Sequence, residues 1–300
     1  MIRVAVVMCT FRRPDVGATL RSLQAQVLPD GVEMEVIVAD NDDMPTGAPA
    51  VMAGQGGLKL LYVHAPARNI SVARNAGLEA AERADWIAFI DDDEVAAPDW
   101  LARLLARAHD TGADAVFGPA IAEYGADAPD WMRAADLHSN RPRRRGGEVL
   151  TGHTCNALLR WNDTPWYGHR FDLNRGRSGG EDTAFFFDLH RMGARFETCD
   201  QAEVREAVPP QRLSLAWLAR RRFRSGQSYA ASEIDAAGRL ALAASAAGKA
   251  AICGAGAAAT ALSKGRRNFW LLRGALHLGV IAGCLRLRQP ELYGGGQRSG

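Results

Sequence analysis

The chain has 300 residues, 47% hydrophobic and 23% charged, a composition that fits one sizeable core with or without an appendage and excludes a disordered or fibrous protein. A net charge of +2 predicts no polyanionic partner, and so no nucleic acid. Five scattered cysteines without CxxC or Cys/His spacing argue against a disulfide framework and a zinc site and fit a reducing compartment.

The opening MIRVAVVMCTFRRP has too short an apolar run for a signal peptide. It reads as a first strand over 3–9, with a cytoplasmic location as the default. Apolar spacing then predicts a helix from about 15 to 26, strands over 34–40 and 58–64, a helix over 71–84 with Ser71 as its N-cap, and a strand over 86–90. Near-continuous apolar strands separated by helices predict an α/β fold, a mostly parallel sheet with helices on both faces. Such sheets bind ligands at the carboxyl ends of their strands. Cys9-Thr10-Phe11-Arg12, Asp40-Asn41-Asp42 and Asp91-Asp92-Asp93 all stand at such ends.

The strand at 86–90 runs directly into four acids, Asp91 to Glu94, which repel one another unless a cation neutralises them. In an extended segment Asp91 and Asp93 point to one side and Asp92 to the other. The pair could therefore present two carboxylates to one Mn2+ or Mg2+, ions that favour oxygen ligands and often take substrate phosphates as well. A ligand-free surface acid cluster is the alternative reading.

Residues 115–210 are less regular. The basic loop 141–147 there reads either as a flap over phosphate or as a solvated loop. A clear helix begins near GGEDTAFFFDLHRMG (179–193), with Glu181 and Asp182 in its first turn, where acids also suit the helix dipole. From Leu213 on, helical character dominates. Between Ala236 and Pro290 there is no Asp or Glu but eight Lys and Arg, which leaves the first 235 residues net acidic. The segment 217–229 sets Arg220, Arg221, Arg222 and Arg224 around Trp217, Leu218 and Phe223, a pattern suited to lipid headgroups or a lipid-diphosphate acceptor. Lys249, Lys264, Arg273 and Arg286 break the later apolar runs below the roughly 20 residues a membrane span needs. The expectation is a helical hairpin or interfacial helices on an anionic membrane surface; a soluble helical appendage is the alternative.

Five ordered motifs, VAVVMCTFRRP, EVIVADND, ARNAGLEAA, WIAFIDDDEVAAPDWL and GGEDTAFFFDLHRMGARF, resemble the bacterial family 2 glycosyltransferases of GT-A fold. ARNISVARNAGLEAA, AFIDDDE, GGEDTAFF and WLARRRFRSGQSY look closest to the succinoglycan-type exopolysaccharide glucosyltransferases. The resemblance implies a GT-A domain over 1–215 and a tail over 216–300. It implies Phe11 stacked on the base of a UDP-sugar donor, Thr10 and Arg12 near ribose and phosphates, and Asp40 accepting from the base. Arg74 and Asn75 would face the donor phosphates, with Asp91, Asp92 and Asp93 beside the sugar nucleotide. Asp91 and Asp93 would hold the metal. Asp182 would be the general base of an inverting transfer, oriented by Glu181, and the acceptor a lipid-linked saccharide at the inner face of the membrane.

Two other readings stay open at this point. IAFIDDDEV also resembles the strand-then-DxDx(T/V) signature of haloacid-dehalogenase-type phosphatases, although that signature sits on the first strand of its sheet and here follows three. A degenerate domain that binds nucleotide or polysaccharide without chemistry is the other.

Overall fold

The computed structural model describes residues 1–13, 15–233 and 236–287, with the backbone alone at 231–233 and 236–237. Arg288 and the remainder of the expected tail lie outside the described residues. The described residues form two compact units, Met1–Ala122 with Ser139–Glu206, and Glu123–His138 with residues 207–287. The second unit thus takes in residues 123–138, which the expected border at 215 left in the first domain.

In the first unit the order is β1 (Ile2–Thr10), α1 (Gly17–Gln24), β2 (Val32–Asp40), α2 (Ala48–Gly54), β3 (Leu60–His64), α3 (Ile70–Ala80) and β4 (Trp86–Asp91). Then follow β5 (Glu94–Ala96), α4 (Trp100–Thr111), β6 (Ala115–Phe117) and β7 (Ala120–Glu123). In chain order come next α5 (Asp130–Ala134) of the second unit, β8 (Asn156–Arg160), α6 (Glu181–Arg191), β9 (Phe196–Thr198) and β10 (Val204–Ala207). The main sheet has the order β3-β2-β1-β4-β8-β6-β9, and a small one the order β5-β10-β7. β1 runs parallel to β2 and β4, while β8 lies antiparallel between β4 and β6.

Alternation along the strands builds two cores. Val4, Val6, Met8, Val36, Val38 and Ile90 pack on one face with Leu20 and Leu23 of α1 and Trp100 and Leu104 of α4. Ala5, Val7, Ile37, Ile87 and Phe89 pack on the other with Leu78 of α3 and Phe185, Phe186 and Leu189 of α6. Strands buried on both faces are the reason these segments read as unbroken apolar runs.

Two local expectations change. The N-cap of α3 is Asn69, whose side chain accepts the Ser71 N–H at 3.0 Å. Ser71 sits one step inside the helix and its hydroxyl donates to the Asp172 carbonyl, 2.8 Å away. The first helix starts at Gly17 rather than near Asp15, because the Asp15 carboxylate accepts the Gly17 N–H at 2.7 Å and turns the chain there.

The second unit continues with a short 3-10 turn (Pro210–Arg212), α7 (Leu215–Glu233), α8 (Ala236–Ala259) and α9 (Lys264–Cys284). α7 and α9 approach closely at glycines: a Cβ at Gly279 would lie 1.8 Å from the Phe223 carbonyl oxygen. Leu218, Met132 and Leu272 form one small core here, Ala230, Ala246 and Val280 another. Gly238–Ala259 of α8 is, by length and composition, apolar enough to cross a membrane, with mean hydropathy 1.4 and only 17% of its most apolar window buried. The helix runs through Lys249, so the charge that interrupts the apolar run in sequence does not end the helix.

Candidate active site

The register of the sheet brings the three polar motifs together: Thr10 pairs with Asp40, and Cys9 with Asp91. Each strand leaves its apolar stretch at the same edge, so the turns that follow share one rim of the sheet.

At that rim the acids have different surroundings. The Asp91 N–H donates to Glu94 Oε2 at 2.9 Å. Desolvation raises the Asp91 carboxyl to about 7, against the pull of Arg74 and with the push of Asp93 and Asp92. Burial also lifts Glu94 well above the usual range, and Glu94 stands opposite Glu206 in the β5–β10 register. Asp92 is buried and accepts from the Thr10 hydroxyl at 2.7 Å. The chain turns after Asp91 instead of staying extended. The expected alternation is lost there, and Asp92 and Asp93 converge on one side chain, Arg13. Its Nη2 lies 3.0 Å from Asp92 Oδ1 and 2.9 Å from Asp93 Oδ2. Burial opposes the Arg13 charge, but these two carboxylates raise it above its ordinary value.

The loops after β1 and β2 form a cavity of about 500 Å3 lined by Arg12, Arg13, Asp42, Asp43, Met44 and Thr46. Arg12 stands over the Phe11 ring, 5.1 Å from its centroid, and its Nε donates to Asp42 Oδ1 at 2.9 Å. Burial would raise Asp42, yet the Thr46 hydroxyl, Arg12 and the Asp43 N–H hold it low. Asp40 is fully buried and does not line this cavity. Its carboxylate accepts the Asp42 N–H (3.0 Å), the Gly47 N–H (2.8 Å) and the Tyr62 hydroxyl (2.6 Å). It shapes the loop that carries Asp42.

The other side of the site is built by α3 and α6. Gly179 and Gly180 enter α6 with φ of 90° and 83°, a left-handed region that side chains with a Cβ rarely occupy. This turn places Glu181 and Asp182 at the helix start. Arg74, buried in α3, forms an ion pair with Glu181 Oε1 and lies over the Phe171 ring at 5.5 Å. Burial raises the Glu181 carboxyl, against the pull of Arg74. Its Oε2 is buried without a hydrogen-bond partner among the described residues. Asn75 makes two bonds to the Phe171 backbone, at 2.8 and 3.0 Å, and so fixes the chain beneath Arg74. Asp182 Oδ2 is 2.8 Å from His153 Nδ1, and Oδ1 accepts the Thr183 N–H at 2.6 Å. Burial would raise Asp182, but His153 first, then Arg74 and the Thr183 N–H, bring it down to about 2. These partners favour its charged form.

Three residues that the motifs did not single out thus belong to the site: Arg13, His153 and Glu94. Arg13 had a signal, being adjacent to Arg12 in the same motif, and His153 lies in the stretch GHTCNALLRW (152–161) that precedes the α6 motif. The basic loop is tethered. Arg144 Nη2 bonds Glu197 Oε2 at 2.5 Å, and Arg107 reaches the same oxygen at 2.8 Å. The Arg144 hydrogen bond, against burial and with help from Arg107, brings Glu197 to about 2. A depressed carboxyl contributes stability above its unfolded value, and that contribution is lost as pH falls. Arg144→Ala is therefore expected to cost about 1 kcal/mol or less at pH 7. In thermal melts at several pH values, its deficit against the wild type should shrink as pH drops from about 4.5 toward 2.

The donor set fits a divalent cation. Asp91, Asp93 and their acidic neighbours Asp92 and Glu94 outnumber Arg13 and Arg74; burial is the main cause of the raised Asp91 carboxyl, and Asp93 and Asp92 add to it. Among the described residues no three His, Cys, Asp or Glu side chains are grouped to hold an ion unaided, so diphosphate oxygens or water would have to complete such a shell.

The family model described as "Glycosyl transferase family 2" matches residues 5–163. The chain belongs to this family. As a family 2 glycosyltransferase it is 46% identical over 302 residues to the succinoglycan biosynthesis protein ExoM of Rhizobium meliloti (strain 1021), covering 98% of this chain and 96% of that one. It is 30% identical over 246 residues, 76% of each chain, to the glucosyl-dolichyl phosphate glucuronosyltransferase of Haloferax volcanii. Among solved structures, the mannosyltransferase PcManGT from Pyrobaculum calidifontis, in complex with GDP-Man and Mn2+, matches at TM-score 0.65 and 20% identity, over 95% of this chain and 88% of that one. S. aureus TarS in complex with UDP matches at TM-score 0.53 and 16% identity, over 78% and 67%. These likenesses show that the enzyme has the GT-A-type α/β fold. Family membership sets the phosphatase reading aside.

Proposed function

We propose that this glycosyltransferase is an inverting, metal-dependent enzyme that moves a sugar, glucose by its similarity to the succinoglycan protein, from a UDP-sugar to a lipid-linked saccharide in exopolysaccharide synthesis. The observation that carries the reading is that the Asp91–Asp93 turn and the arginine-lined cavity share one rim of the sheet, with Asp182 close enough for Arg74 to interact with both Asp182 and Asp91. The cavity beside Phe11, Arg12 and Thr46 suits the nucleoside, with Asp40 acting through the loop it holds. Asp91 and Asp93 would hold Mn2+ or Mg2+, which supplies charge neutralisation for the leaving diphosphate. Asp182 takes the proton of the acceptor hydroxyl as its oxygen attacks the anomeric carbon and the bond to the diphosphate breaks. His153 and the Thr183 N–H hold that carboxylate in place, and Arg74, paired with Glu181, offsets its negative charge at a distance. A single displacement of this kind converts an α-linked donor into a β-linked product. The test is a panel of UDP-, GDP- and dTDP-sugars with Mn2+, scored by nucleotide release. Release from one UDP-sugar supports the reading; release confined to GDP- or dTDP-sugars overturns the donor assignment.

Association with the cytoplasmic face of the membrane is supported by the second unit. Leu240, Ile252, Phe269 and Leu278 are exposed on α8 and α9, and Leu262 in the turn between them, and the charged side chains of these two helices are all basic. Exposed apolar side chains beside Lys and Arg suit an anionic lipid interface. Full-length protein is expected to sediment with anionic vesicles at low salt and to be released at high salt. Replacing Lys264, Arg266, Arg267 and Arg273 together by Glu should abolish sedimentation; retention would contradict the electrostatic part of the reading.

A further inference from the structure

The acid turn at the end of β4 already holds a cation of the protein's own. Arg13 donates through Nε and Nη2 to Asp92 Oδ1, at 3.2 and 3.0 Å, and through Nη2 to Asp93 Oδ2 at 2.9 Å. The two carboxylates are only 10% and 25% exposed, whereas the Arg13 side chain is 37% exposed. The same side chain lines the cavity of about 500 Å3 together with Arg12. Arg13 therefore touches both the carboxylates and the space beside them. Arg12, just before it, has φ of 51°, a conformation that is uncommon away from glycine and found at sites the surrounding structure constrains. Arg12 is in turn fixed to Asp42, so the turn is pinned while the Arg13 guanidinium is held by ionic contacts to its two acids.

We propose that Arg13 is a resident counter-cation, which neutralises the Asp92–Asp93 turn before the donor arrives and passes to the nucleotide diphosphate when a divalent ion takes its place. The inference rests on the donor-site reading above and deepens it. A guanidinium pairs carboxylate and phosphate with the same planar fork, so the exchange trades one charge-assisted contact for another. A metal arriving alone must displace Arg13 from Asp93 and leaves the guanidinium with Asp92 as its one carboxylate. A metal arriving with a diphosphate leaves both cations matched. Metal and nucleotide should thus bind synergistically, and Arg13 should carry part of the coupling, which by linkage acts equally in both directions.

The test uses full-length wild type, Arg13→Gln and Arg13→Lys, with thermal melts as a folding control. Mn2+ binding without nucleotide is measured by the electron paramagnetic resonance of the free ion. UDP binding at saturating Mn2+ is measured by calorimetry. Arg13→Gln is expected to bind Mn2+ alone about fivefold more tightly and UDP about tenfold more weakly. Arg13→Lys should shift both constants in the same directions by less, and it carries the test by itself if the Gln variant does not fold. Constants within twofold of wild type for both ligands would overturn the inference. So would weaker Mn2+ binding in the absence of nucleotide, which would make Arg13 a structural prop of the turn. Wild-type protein that binds neither UDP nor Mn2+ would overturn the donor-site reading, and this inference with it.

Discussion

Asp182→Asn is expected to lower kcat by about three orders of magnitude while Mn2+-dependent UDP binding stays within about twofold of wild type. The substitution preserves volume and an acceptor oxygen for the Thr183 N–H, so the start of α6 keeps its geometry. What it removes is a negative charge that Arg74 and His153 stabilise so well that the carboxyl sits at about 2. Steady-state nucleotide release and UDP calorimetry on the same preparation separate the two effects. Equal losses of turnover and UDP affinity would move Asp182 from the acceptor side to the donor side of the site. Retained turnover would remove it from the chemistry and leave the pair at the head of α6 as helix capping alone.

The second large effect is expected at the acid turn. Asp93→Asn should reduce Mn2+-supported turnover by about two to three orders of magnitude and make the residual rate insensitive to EDTA. The Arg13 contact to Asp92 survives this change, so the fold of the turn is kept. The contact to Asp93 is the one that a metal must replace. Turnover as metal-dependent in the variant as in the wild type would show that Asp93 is not a ligand and would shift the role to Asp91 with other oxygen donors.

Much of this arrangement can be read before the fold is known, because the strands report themselves. Val4 to Met8, Val36 to Ala39 and Ile87 to Ile90 are buried on both faces, which produces unbroken apolar runs, and each run stops at a polar motif. The start of α6 is legible for a similar reason: two glycines in succession and then two acids suit a left-handed turn into a helix. The side-chain partners are less legible, since they depend on contacts across long stretches of chain. Asp40 stands at the predicted place, but the Gly47 N–H and the Tyr62 hydroxyl that occupy it come from separate elements. Nothing local in the sequence tells Arg12 from Arg13; the turn at Arg12 sends one to Asp42 and the other to Asp92 and Asp93. His153 reaches Asp182 from a loop without regular structure, across 29 residues. The antiparallel β8 and the recruitment of residues 123–138 into the helical unit are likewise matters of tertiary pairing, for which a short strand and a short helix leave little periodic trace.

The most direct test of the central claim is a calorimetric titration of UDP into the full-length protein with Mn2+ and again with EDTA. The account predicts binding in Mn2+ that weakens by more than about tenfold in EDTA. Binding of equal strength under both conditions, or none under either, would contradict a metal-assisted nucleotide site at the Asp91–Asp93 turn.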